Sequence, residues 1–377
     1  MTSTIRSAAR SAQEGRERTE RFDTIVIGGG PSGLATGYHL AQRGQSFVIL
    51  DALPRVGDRW RRHYDSLRLY TPARYDGLPG MDFPAPKHSW PTGRQTADFL
   101  QAYAERFELP VWGGVAVDGL SRSDDRYVVS AGAQRFEAAN VVVATGAQQT
   151  PKTPEFAAEL DNGIRQLHSS EYRNPDQLRP GGVLVVGASH SGGDIAYEVA
   201  AGHRTWLSGP IRGQLPFDLE GKAGRRVLRA LWFAANHVLT ERTPMGRKMR
   251  EEVRTKGAPL LRVKLPQLEA AGVQHVEAKT VGARDGLPLL DDGTLLDVEN
   301  VIWCTGFRRD QAWIELPVFD EDGWPLQRRG VVPSSPGLYF VGLKFQYSFA
   351  SMLFGGVGRD AGYVARHLAK RGVRVPS

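Results

Sequence analysis

Three glycines, Gly28, Gly30 and Gly33, follow a short apolar run and open a segment with helical periodicity. Glycine lets the backbone approach a phosphate closely, and the free N–H groups at a helix N-terminus favour an anion. A second apolar run, at 46–50, ends in Asp51, about where a dinucleotide-binding fold places an acid for a ribose hydroxyl. This order of strand, glycine turn, helix, strand and acid predicts a dinucleotide site.

A second turn of the same kind occurs near the middle of the chain. An apolar run precedes Gly187, Ser189 and Gly192, so a serine replaces the middle glycine. This small residue still lets a diphosphate approach the backbone, although less freely than glycine. The next predicted strand, 204–207, has no acid at its end, but Arg212 follows it closely. An arginine there accommodates a 2′-phosphate, which favours NADPH over NADH.

The elements that must position these residues belong to two α/β domains. A strand at 23–27, a helix at 34–42 and a strand at 46–50 surround the first turn, and a strand at 183–186 and a helix from Gly193 surround the second. We therefore expect two Rossmann-like dinucleotide-binding domains, the second inserted into a discontinuous first. The expected boundaries are 1–22 for a disordered tail, 23–150 and 301–377 for the first domain, and 151–300 for the second.

A long segment after Asp51 is rich in aromatic residues, arginines and turn residues. Such loops are uncommon inside compact domains unless they have a function. One interpretation is that the segment wraps a planar cofactor, with Trp60 and Tyr64 stacking on it and Arg59 binding a phosphate. The alternative is a surface loop held by buried aromatic anchors. Further along, an apolar strand ends in the turn Ala144-Thr145-Gly146, which brings backbone close to the space above the sheet.

The later part of the chain repeats this pattern. Residues 285–298 predict a hairpin around Asp292-Gly293, which feeds a strand at 301–304. That strand ends in Thr305 and Gly306, as the earlier one ends in a Thr-Gly pair. A last buried strand spans 337–342 and ends in Gly342, which with Thr305 and Gly306 joins the candidate cofactor-binding residues.

Composition narrows the function classes. The segment 222–256 holds ten Lys or Arg and three Glu, an excess of seven positive charges that equals the net charge of +7 of the whole chain. This segment predicts a solvated helix pair, an amphipathic helix for a membrane surface or a partner, or a helical lid. No basic motif interleaved with aromatics suggests nucleic acid, and no apolar run suggests a membrane span or a signal peptide, so we expect a cytoplasmic protein. The single cysteine, Cys304, excludes an internal disulfide.

Two facing nucleotides point to hydride transfer from a nicotinamide to a flavin, with the cofactors supplying the chemistry. An NADPH oxidase or a small-acceptor reductase fits the same residues, whereas a disulfide reductase would need a dithiol. A redox sensor that holds FAD without turnover is a non-enzymatic alternative. The substrate is expected to be a small molecule, and a homodimer is left open.

Five motifs together resemble the class B flavoprotein monooxygenases, especially their CzcO-like and YUCCA-like branch: GGGPSGL, GDRW, YDSLRLYTPARYDGLPG, GASHSGGDIA and WCTGF. The resemblance runs from Asp23 to the C-terminal helix. It implies that NADPH reduces FAD, that O₂ adds at flavin C4a, and that the resulting C4a-peroxyflavin transfers one oxygen to a substrate. The resemblance implies that Gly28, Gly30, Gly33 and Asp51 hold FAD, that Arg59 and Trp60 lie near the flavin, and that Gly187, Ser189 and Gly192 hold NADPH. The other candidate cofactor-binding residues are Pro31, Ser32, Ala144, Thr145, Gly146, Ser191, Arg212, Thr305, Gly306 and Gly342.

The family fingerprint F-x-G-x-x-x-H-x-x-x-Y is half present. His168 and Tyr172 stand at their places, but Asn162 and Ile164 occupy the Phe and Gly positions. A Baeyer–Villiger enzyme usually carries Trp where Tyr172 stands, so that subclass is disfavoured. Tyr70 aligns with the active-site Asn of many N- and S-oxidising relatives. Tyr70 and His168 are therefore the candidate catalytic residues, and for His168 a structural role at the domain junction is the alternative.

Overall fold

The computed structural model describes residues 19–146, 150–214, 221–255 and 257–372. Numbered along these residues, the strands are β1 Thr19–Ile27, β2 Phe47–Asp51, β3 Val111–Gly113, β4 Gly119–Ser123, β5 Arg126–Ala131, β6 Gln134–Val143, β7 Thr150–Pro151, β8 Arg165–His168, β9 Val183–Val186, β10 Thr205–Ser208, β11 Gln274–Val276, β12 Thr280–Arg284, β13 Leu287–Leu290, β14 Asn300–Trp303, β15 Phe307–Arg308 and β16 Leu338–Phe340. The helices are α1 Pro31–Ala41, α2 Asp58–Arg61, α3 Gly93–Arg106, α4 His190–Val199, α5 Lys222–His237, α6 Pro244–Thr255, α7 Leu265–Ala270 and α8 Val357–Gly372.

The first sheet has the order β3-β2-β1-β6-β5-β4, and β16 also pairs with β6. Strands β3, β2, β1, β6 and β16 are parallel, whereas β5 runs antiparallel to β6 and to β4. Helices α1, α3 and α8 cover one face, where Leu34, Leu100 and Val364 are fully buried. The apolar, β-branched sequences of β1 and β6 suit a sheet whose two faces are both covered.

The second sheet has the order β11-β10-β9-β14-β8, and its strands are all parallel. Helix α4 packs beside its centre through Ile195 and Val199, which are fully buried. On the other face Trp303 and Leu184 lie in a core that the β12–β13 hairpin closes. The model thus confirms the predicted mixed α/β class with two dinucleotide-binding domains.

Two short strands join the domains. β7 carries the chain away from the first sheet, β15 carries it onward after β14, and the two pair antiparallel. Lys152 N–H donates to the Gly306 carbonyl at 3.0 Å, and the Thr305 hydroxyl donates to the Lys152 carbonyl. The Thr305-Gly306 turn therefore ties the two chain crossings together.

Two boundary predictions are wrong. Residues Thr19–Phe22, assigned to the tail, are strand, because they pair with β6 and because Phe22 packs on Trp112 and Phe136. These residues are polar, so the sequence predicted a tail. They form a strand because they contact residues that are distant in the sequence, on β6 and at Trp112. Residues 1–18 of the predicted tail lie outside the described part of the chain.

The other boundary is that at residue 300. β14, Asn300–Trp303, lies between β9 and β8 in the second sheet, although residues from 301 onward were predicted for the first domain. The chain returns to the first sheet only at β16. The hairpin also turns earlier than predicted, at Asp285-Gly286 with φ of 52° and 76°, while Asp292-Gly293 forms a separate turn after β13. Two Asp-Gly pairs compete in this sequence, and the strand pairing selects the first.

Candidate functional site

The first glycine turn joins β1 to α1. Gly28 has a φ of 110°, and a Cβ atom there would come within 2.7 Å of the Ala144 carbonyl oxygen. A Cβ atom on Gly33 would overlap the Gly28 carbonyl oxygen, but one on Gly30 would meet nothing within 4 Å. Gly28 and Gly33 are thus required by the fold, whereas Gly30 faces open space. That space is where the sequence predicted a diphosphate.

Pro31 and Ser32 form the first turn of α1, which has no side-chain cap and no acidic residue. Gly342, with a φ of 86°, follows β16, and a Cβ atom there would collide with the Ser32 hydroxyl. The chain after β16 therefore passes directly beside the start of α1. The free N–H groups of the helix and this close approach fit a bound diphosphate.

Asp51 ends β2 beside the same turn. Its Oδ2 accepts a 2.5 Å hydrogen bond from Gly29 N–H, and its Oδ1 accepts one of 2.7 Å from Leu53 N–H. The carboxylate thus braces the turn as well as standing at the position predicted to bind a ribose. The sequence did not indicate this bracing role.

The second turn, between β9 and α4, repeats the first one closely. Gly187 has a φ of 108°, and its Cβ atom would approach the Cys304 carbonyl oxygen to 2.6 Å. A Cβ atom on Gly192 would overlap the Gly187 carbonyl oxygen. Ser189 precedes α4 and donates its hydroxyl to the Ala258 carbonyl at 3.0 Å, which holds the side chain aside. Helix α4 also lacks a side-chain cap and an acid in its first turn.

Arg212 lies exposed, four residues beyond the end of β10. At the end of that strand Ser208 donates its hydroxyl to the Ala278 carbonyl at 2.9 Å, and no acid stands there. The position of Arg212 is consistent with the predicted contact to a 2′-phosphate, which stays a prediction.

Between the two turns, the aromatic loop of the first domain packs on α4. The Tyr70 ring lies 4.4 Å from that of His190, and burial together with the nearby Asp194 raises the pKa of the Tyr70 hydroxyl. The Tyr64 hydroxyl donates to Asp194 at 3.4 Å, and burial raises the pKa of Tyr64 well above its usual range. Tyr70 thus lies at the junction of the two predicted cofactor sites, where its catalytic role stays a prediction.

Asp194 closes this network from the second domain. It is 3% exposed, and burial raises its pKa, while the guanidinium of Arg262, 3.4 Å away, opposes that rise. The buried Nε2 atom of His190 has no hydrogen-bond partner among the described residues, and burial lowers the pKa of this imidazole to about 4. A neutral imidazole with a free nitrogen therefore lies beside Tyr70.

His168 ends β8 and uses both ring nitrogens. Nε2 lies 3.0 Å from the Gly306 carbonyl, and Nδ1 lies 2.8 Å from the Ser170 hydroxyl. Burial lowers the pKa of the ring, which also packs edge-on against Phe307 at 5.1 Å. These contacts give His168 a structural role at the domain crossing, and a direct catalytic role stays a prediction.

Arg59 and Trp60 stand on α2 and point to different neighbours. The Arg59 guanidinium lies 5.7 Å from the Phe307 ring, near the domain crossing. The Trp60 ring lies 5.9 Å from that of Phe354, in the core beneath α3. Their predicted contacts with the flavin are not contradicted by this placement, and Trp60 also serves as an apolar anchor.

Asp76 is a residue that the sequence analysis missed. It is fully buried, its Oδ1 accepts a 2.5 Å hydrogen bond from the Thr71 hydroxyl, and its Oδ2 has no partner among the described residues. Burial raises its pKa to about 7. A single aspartate in a loop carries no sequence signal of burial, so only the structure reveals it.

The basic segment 222–256 contains α5 and α6, as its helical periodicity predicted. Trp232 stacks on Tyr75 of the aromatic loop at 4.8 Å, while Leu231 is 44% and Phe233 61% exposed. The lid and the surface-helix interpretations both stay predictions. No helix in the described ranges is long and apolar enough to cross a membrane.

Comparisons with known proteins bear on this site. A model of the pyridine nucleotide-disulphide oxidoreductases matches residues 25–207. A CzcO-like oxidoreductase of Geobacillus kaustophilus is 38% identical over 91% of this chain and 97% of its own length. The chain belongs to the CzcO-like class B flavin monooxygenases. This confirms the predicted oxidoreductase and, at the level of the family, FAD and NADPH as its cofactors.

Two further relatives connect this family to monooxygenases. The probable indole-3-pyruvate monooxygenase YUCCA9 of Arabidopsis thaliana is 28% identical over 92% of this chain and 90% of its own. The flavin-containing monooxygenase of Stenotrophomonas maltophilia has a TM-score of 0.75 and 26% identity, covering 94% of this chain and all (100%) of that one. The matching family's description mentions a disulphide, but this chain has one cysteine and therefore lacks the dithiol that a disulfide reductase needs.

Proposed function

We propose that this protein is an NADPH-dependent flavin monooxygenase that inserts one oxygen atom of O₂ into a small organic substrate. FAD occupies the turn at Gly28–Gly33, and NADPH occupies the turn at Gly187–Gly192. The observation that carries the proposal is the duplicated turn, with φ of 110° at Gly28 and 108° at Gly187, each backed by the carbonyl of a second strand. When bound, the flavin accepts a hydride and supplies the chemistry with O₂.

The residues present fit both groups. Each helix start offers free N–H groups without a competing cap or acid, which suits a diphosphate. Asp51 supplies an acceptor beside the first turn, and Arg212 supplies a cation beyond the second. These opposite charges favour a bare ribose at the first site and a phosphorylated one at the second.

The chain's own contribution is to position the groups and to exclude water. Tyr64, Leu67 and Tyr172 pack with the residues of α4 in one apolar core, so the aromatic loop closes the junction between the sites. Within that junction the Tyr70 hydroxyl stays protonated at neutral pH, since burial raises its pKa. Tyr70 can therefore act as a hydrogen-bond donor rather than as an anion, and the neutral His190 ring beside it offers one donor and one acceptor nitrogen.

The substrate is proposed as a small apolar or aromatic compound. The aromatic loop supplies Tyr75 and the last turn before α8 supplies Phe354, which support an apolar lining. The compound named in the YUCCA9 relative, indole-3-pyruvate, is a reasonable first probe among amines, sulfides and acids.

The experiment mixes the NADPH-reduced protein rapidly with oxygenated buffer and records the flavin spectrum. A transient band distinct from oxidised and reduced flavin, lasting seconds or longer, would support oxygen transfer. A direct return to oxidised flavin with stoichiometric H₂O₂ would contradict it in favour of an oxidase. Tyr70→Phe is the matched variant, because it removes only the hydroxyl, and we expect it to shorten the life of the transient.

A further inference from the structure

The exposed large apolar side chains of this protein are concentrated on one segment. Among the described residues eight such side chains are exposed, and five of them belong to α5 or follow it closely, namely Val227, Leu231, Phe233, Val238 and Met245. Leu231 is 44% exposed, and Phe233 and Met245 are each 61% exposed. Single exposed apolar residues are normal, but a cluster of them marks a surface that another molecule covers.

These side chains form part of two rows on the outward side of α5. Val227, Leu231 and Val238 are spaced i, i+4 and i+11, so they follow one another along one side of the helix and its C-terminal end. In the second row, two arginines precede an aromatic residue at i, i+4 and i+8: Arg225, Arg229 and Phe233. Helix α5 thus presents an apolar row and a cationic row to solvent.

The inner side of α5 is fixed to the rest of the protein. Trp232 stacks on Tyr75 of the aromatic loop at 4.8 Å, and the Asn236 carbonyl accepts a 2.6 Å hydrogen bond from the Arg359 guanidinium of α8. A lid closed over a substrate would turn its apolar side chains inward. Because these contacts hold α5 with both rows facing solvent, the rows are available to a partner outside the chain.

The cations of α5 are not balanced by nearby acids. The sequence has no Asp or Glu between residues 221 and 240. Arg225, Arg226 and Arg229 are exposed, and no salt bridge within the described ranges includes any of them. Such a concentration of one sign of charge attracts a partner of the opposite sign.

The aromatic loop of the first domain extends this positive surface. After loss of hydration, three cations contribute to lowering the pKa of the exposed His88: Arg225, Arg74 and Lys87. A cleft of about 370 Å³ lies between the loop and α5, and Arg74 and Arg229 line it beside Phe233. A phosphate bound by these two guanidinium groups would therefore lie next to an apolar side chain.

We propose that α5 and the start of α6 form a binding surface for an anionic phospholipid membrane. Such a membrane offers phosphate-bearing head groups to the cations and acyl chains to the apolar row. Nucleic acid or free phosphate would leave the apolar row uncovered. A second copy of this chain would cover that row, but a two-fold contact between like surfaces would bring the same arginines together.

The test incubates the full-length protein, as purified, with lipid vesicles and measures the bound fraction by flotation. One set of vesicles is pure phosphatidylcholine, and the other contains about one third phosphatidylglycerol, which supplies negative charge. We expect binding to the anionic vesicles to be at least about tenfold stronger, and to weaken as salt is added because salt screens the attraction.

One double variant tests the apolar contribution. Leu231→Ser/Phe233→Ser removes two exposed apolar side chains, so folding is not at risk. We expect it to bind the anionic vesicles at least about tenfold more weakly, since less apolar surface enters the bilayer. The matched control is Val281→Ser/Leu326→Ser, whose side chains are 49% and 48% exposed elsewhere on the protein, and it should bind like the native protein.

A second double variant tests the charge. Arg225→Gln/Arg229→Gln removes two exposed cations of α5, and we expect it also to bind the anionic vesicles about tenfold more weakly. Its control, Arg135→Gln/Arg284→Gln, removes two exposed cations on strands β6 and β12. This control keeps the same net charge as the variant, so a difference between them reports the position of the charge.

The inference is overturned if the native protein binds neither kind of vesicle, if it binds both kinds equally, or if each variant binds like its control. Dimerisation that Leu231→Ser/Phe233→Ser abolishes, without any vesicle binding, would assign the surface to a second copy and would also overturn it. Because no turnover is measured, these results are independent of whether the proposed oxygen transfer is correct.

Discussion

The turns at Gly28 and at Gly187 have almost the same backbone and different surroundings. Each begins with a glycine at a φ near 110° (110° and 108°), and in each the Cβ position is blocked by the carbonyl of a neighbouring strand end, Ala144 or Cys304. The middle position differs, because Gly30 faces open space and Ser189 carries a tethered hydroxyl. The common backbone thus follows from the strand–turn–helix packing, whereas the differences are what we propose to determine which nucleotide each turn prefers.

The ends of the second strands differ more than the turns. Asp51 ends β2 and binds Gly29 N–H, while Ser208 ends β10 and bonds with Ala278. One site therefore presents a negative charge and the other, through Arg212, a positive one. If the proposed assignment of cofactors is correct, these side chains at equivalent places are what distinguishes the FAD site from the NADPH site.

The largest effect is expected from breaking each turn separately. In Gly33→Ala and Gly192→Ala the new Cβ atom overlaps the carbonyl oxygen of Gly28 or of Gly187. Overpacking of this kind costs about 1–3 kcal/mol or moves the backbone, which would displace the diphosphate site. We expect Gly33→Ala to be purified without FAD, and Gly192→Ala to keep FAD but to lose reduction by NADPH.

Flavin absorbance per protein and the rate of anaerobic reduction measure these two effects. Gly202→Ala is the control, since a Cβ atom there meets nothing within 4 Å. If Gly192→Ala lost FAD while Gly33→Ala retained it, the assignment of cofactors to turns would have to be exchanged.

A smaller effect is expected at the strand end of the first site. Asp51→Asn keeps the shape but removes the charge that accepts from Gly29 N–H. A hydrogen bond to a charged group contributes about 1.5–3 kcal/mol, so FAD should bind roughly 10- to 100-fold more weakly. Equilibrium titration of the apoprotein with FAD measures this, and Ser208→Ala is the matched control in the second site. Unchanged FAD affinity in Asp51→Asn would show that the Asp51 carboxylate does not contribute to FAD binding.

A still smaller effect is expected from Arg212→Gln. Loss of a cation near a 2′-phosphate should raise the KM for NADPH about tenfold and leave that for NADH unchanged. Steady-state kinetics with both nucleotides measure the ratio, and Arg284→Gln, an exposed arginine on β12, is the control. An equal change for both nucleotides would show that Arg212 does not contact the phosphate.

The smallest effect concerns two buried carboxylates, one in each domain, that have different surroundings. Asp194 is paired with Arg262, whereas Asp76 has an unpartnered oxygen and a pKa raised to about 7. Since the folded-state pKa of Asp76 lies above the unfolded value of 3.8, the native protein loses stability as pH rises from about 4 to 7. Asp76→Asn removes this loss, so the variant should gain stability relative to the native protein over that range.

Thermal unfolding at pH 5 and pH 8 measures this gain, which we expect to be a few degrees, at about 2–4 °C for each kcal/mol. Asp82→Asn, an exposed neighbour in the same loop, is the control and should show no such trend. A gain for Asp76→Asn that is larger at pH 5 than at pH 8 would contradict the sign of the pKa shift.

Local sequence patterns predicted the two turns well, because glycine spacing and apolar runs act through near neighbours. The family, the α/β class and the equivalence of the strand ends at Thr145-Gly146 and Thr305-Gly306 followed from the same patterns. The sequence failed where distant residues decide: Thr19–Phe22 become strand through β6, and β14 joins the second sheet through β8 and β9. Asp76 was missed for the same reason, since its burial arises only from tertiary packing.

The central claim is that two cofactors in one chain exchange electrons across the junction at Tyr70. The most direct test is anaerobic addition of one equivalent of NADPH to the flavin-loaded protein, followed by its absorbance. We predict complete bleaching of the oxidised flavin by NADPH, and slow or no bleaching in Gly192→Ala with the same FAD content. A native flavin that stays oxidised under excess NADPH would contradict the account.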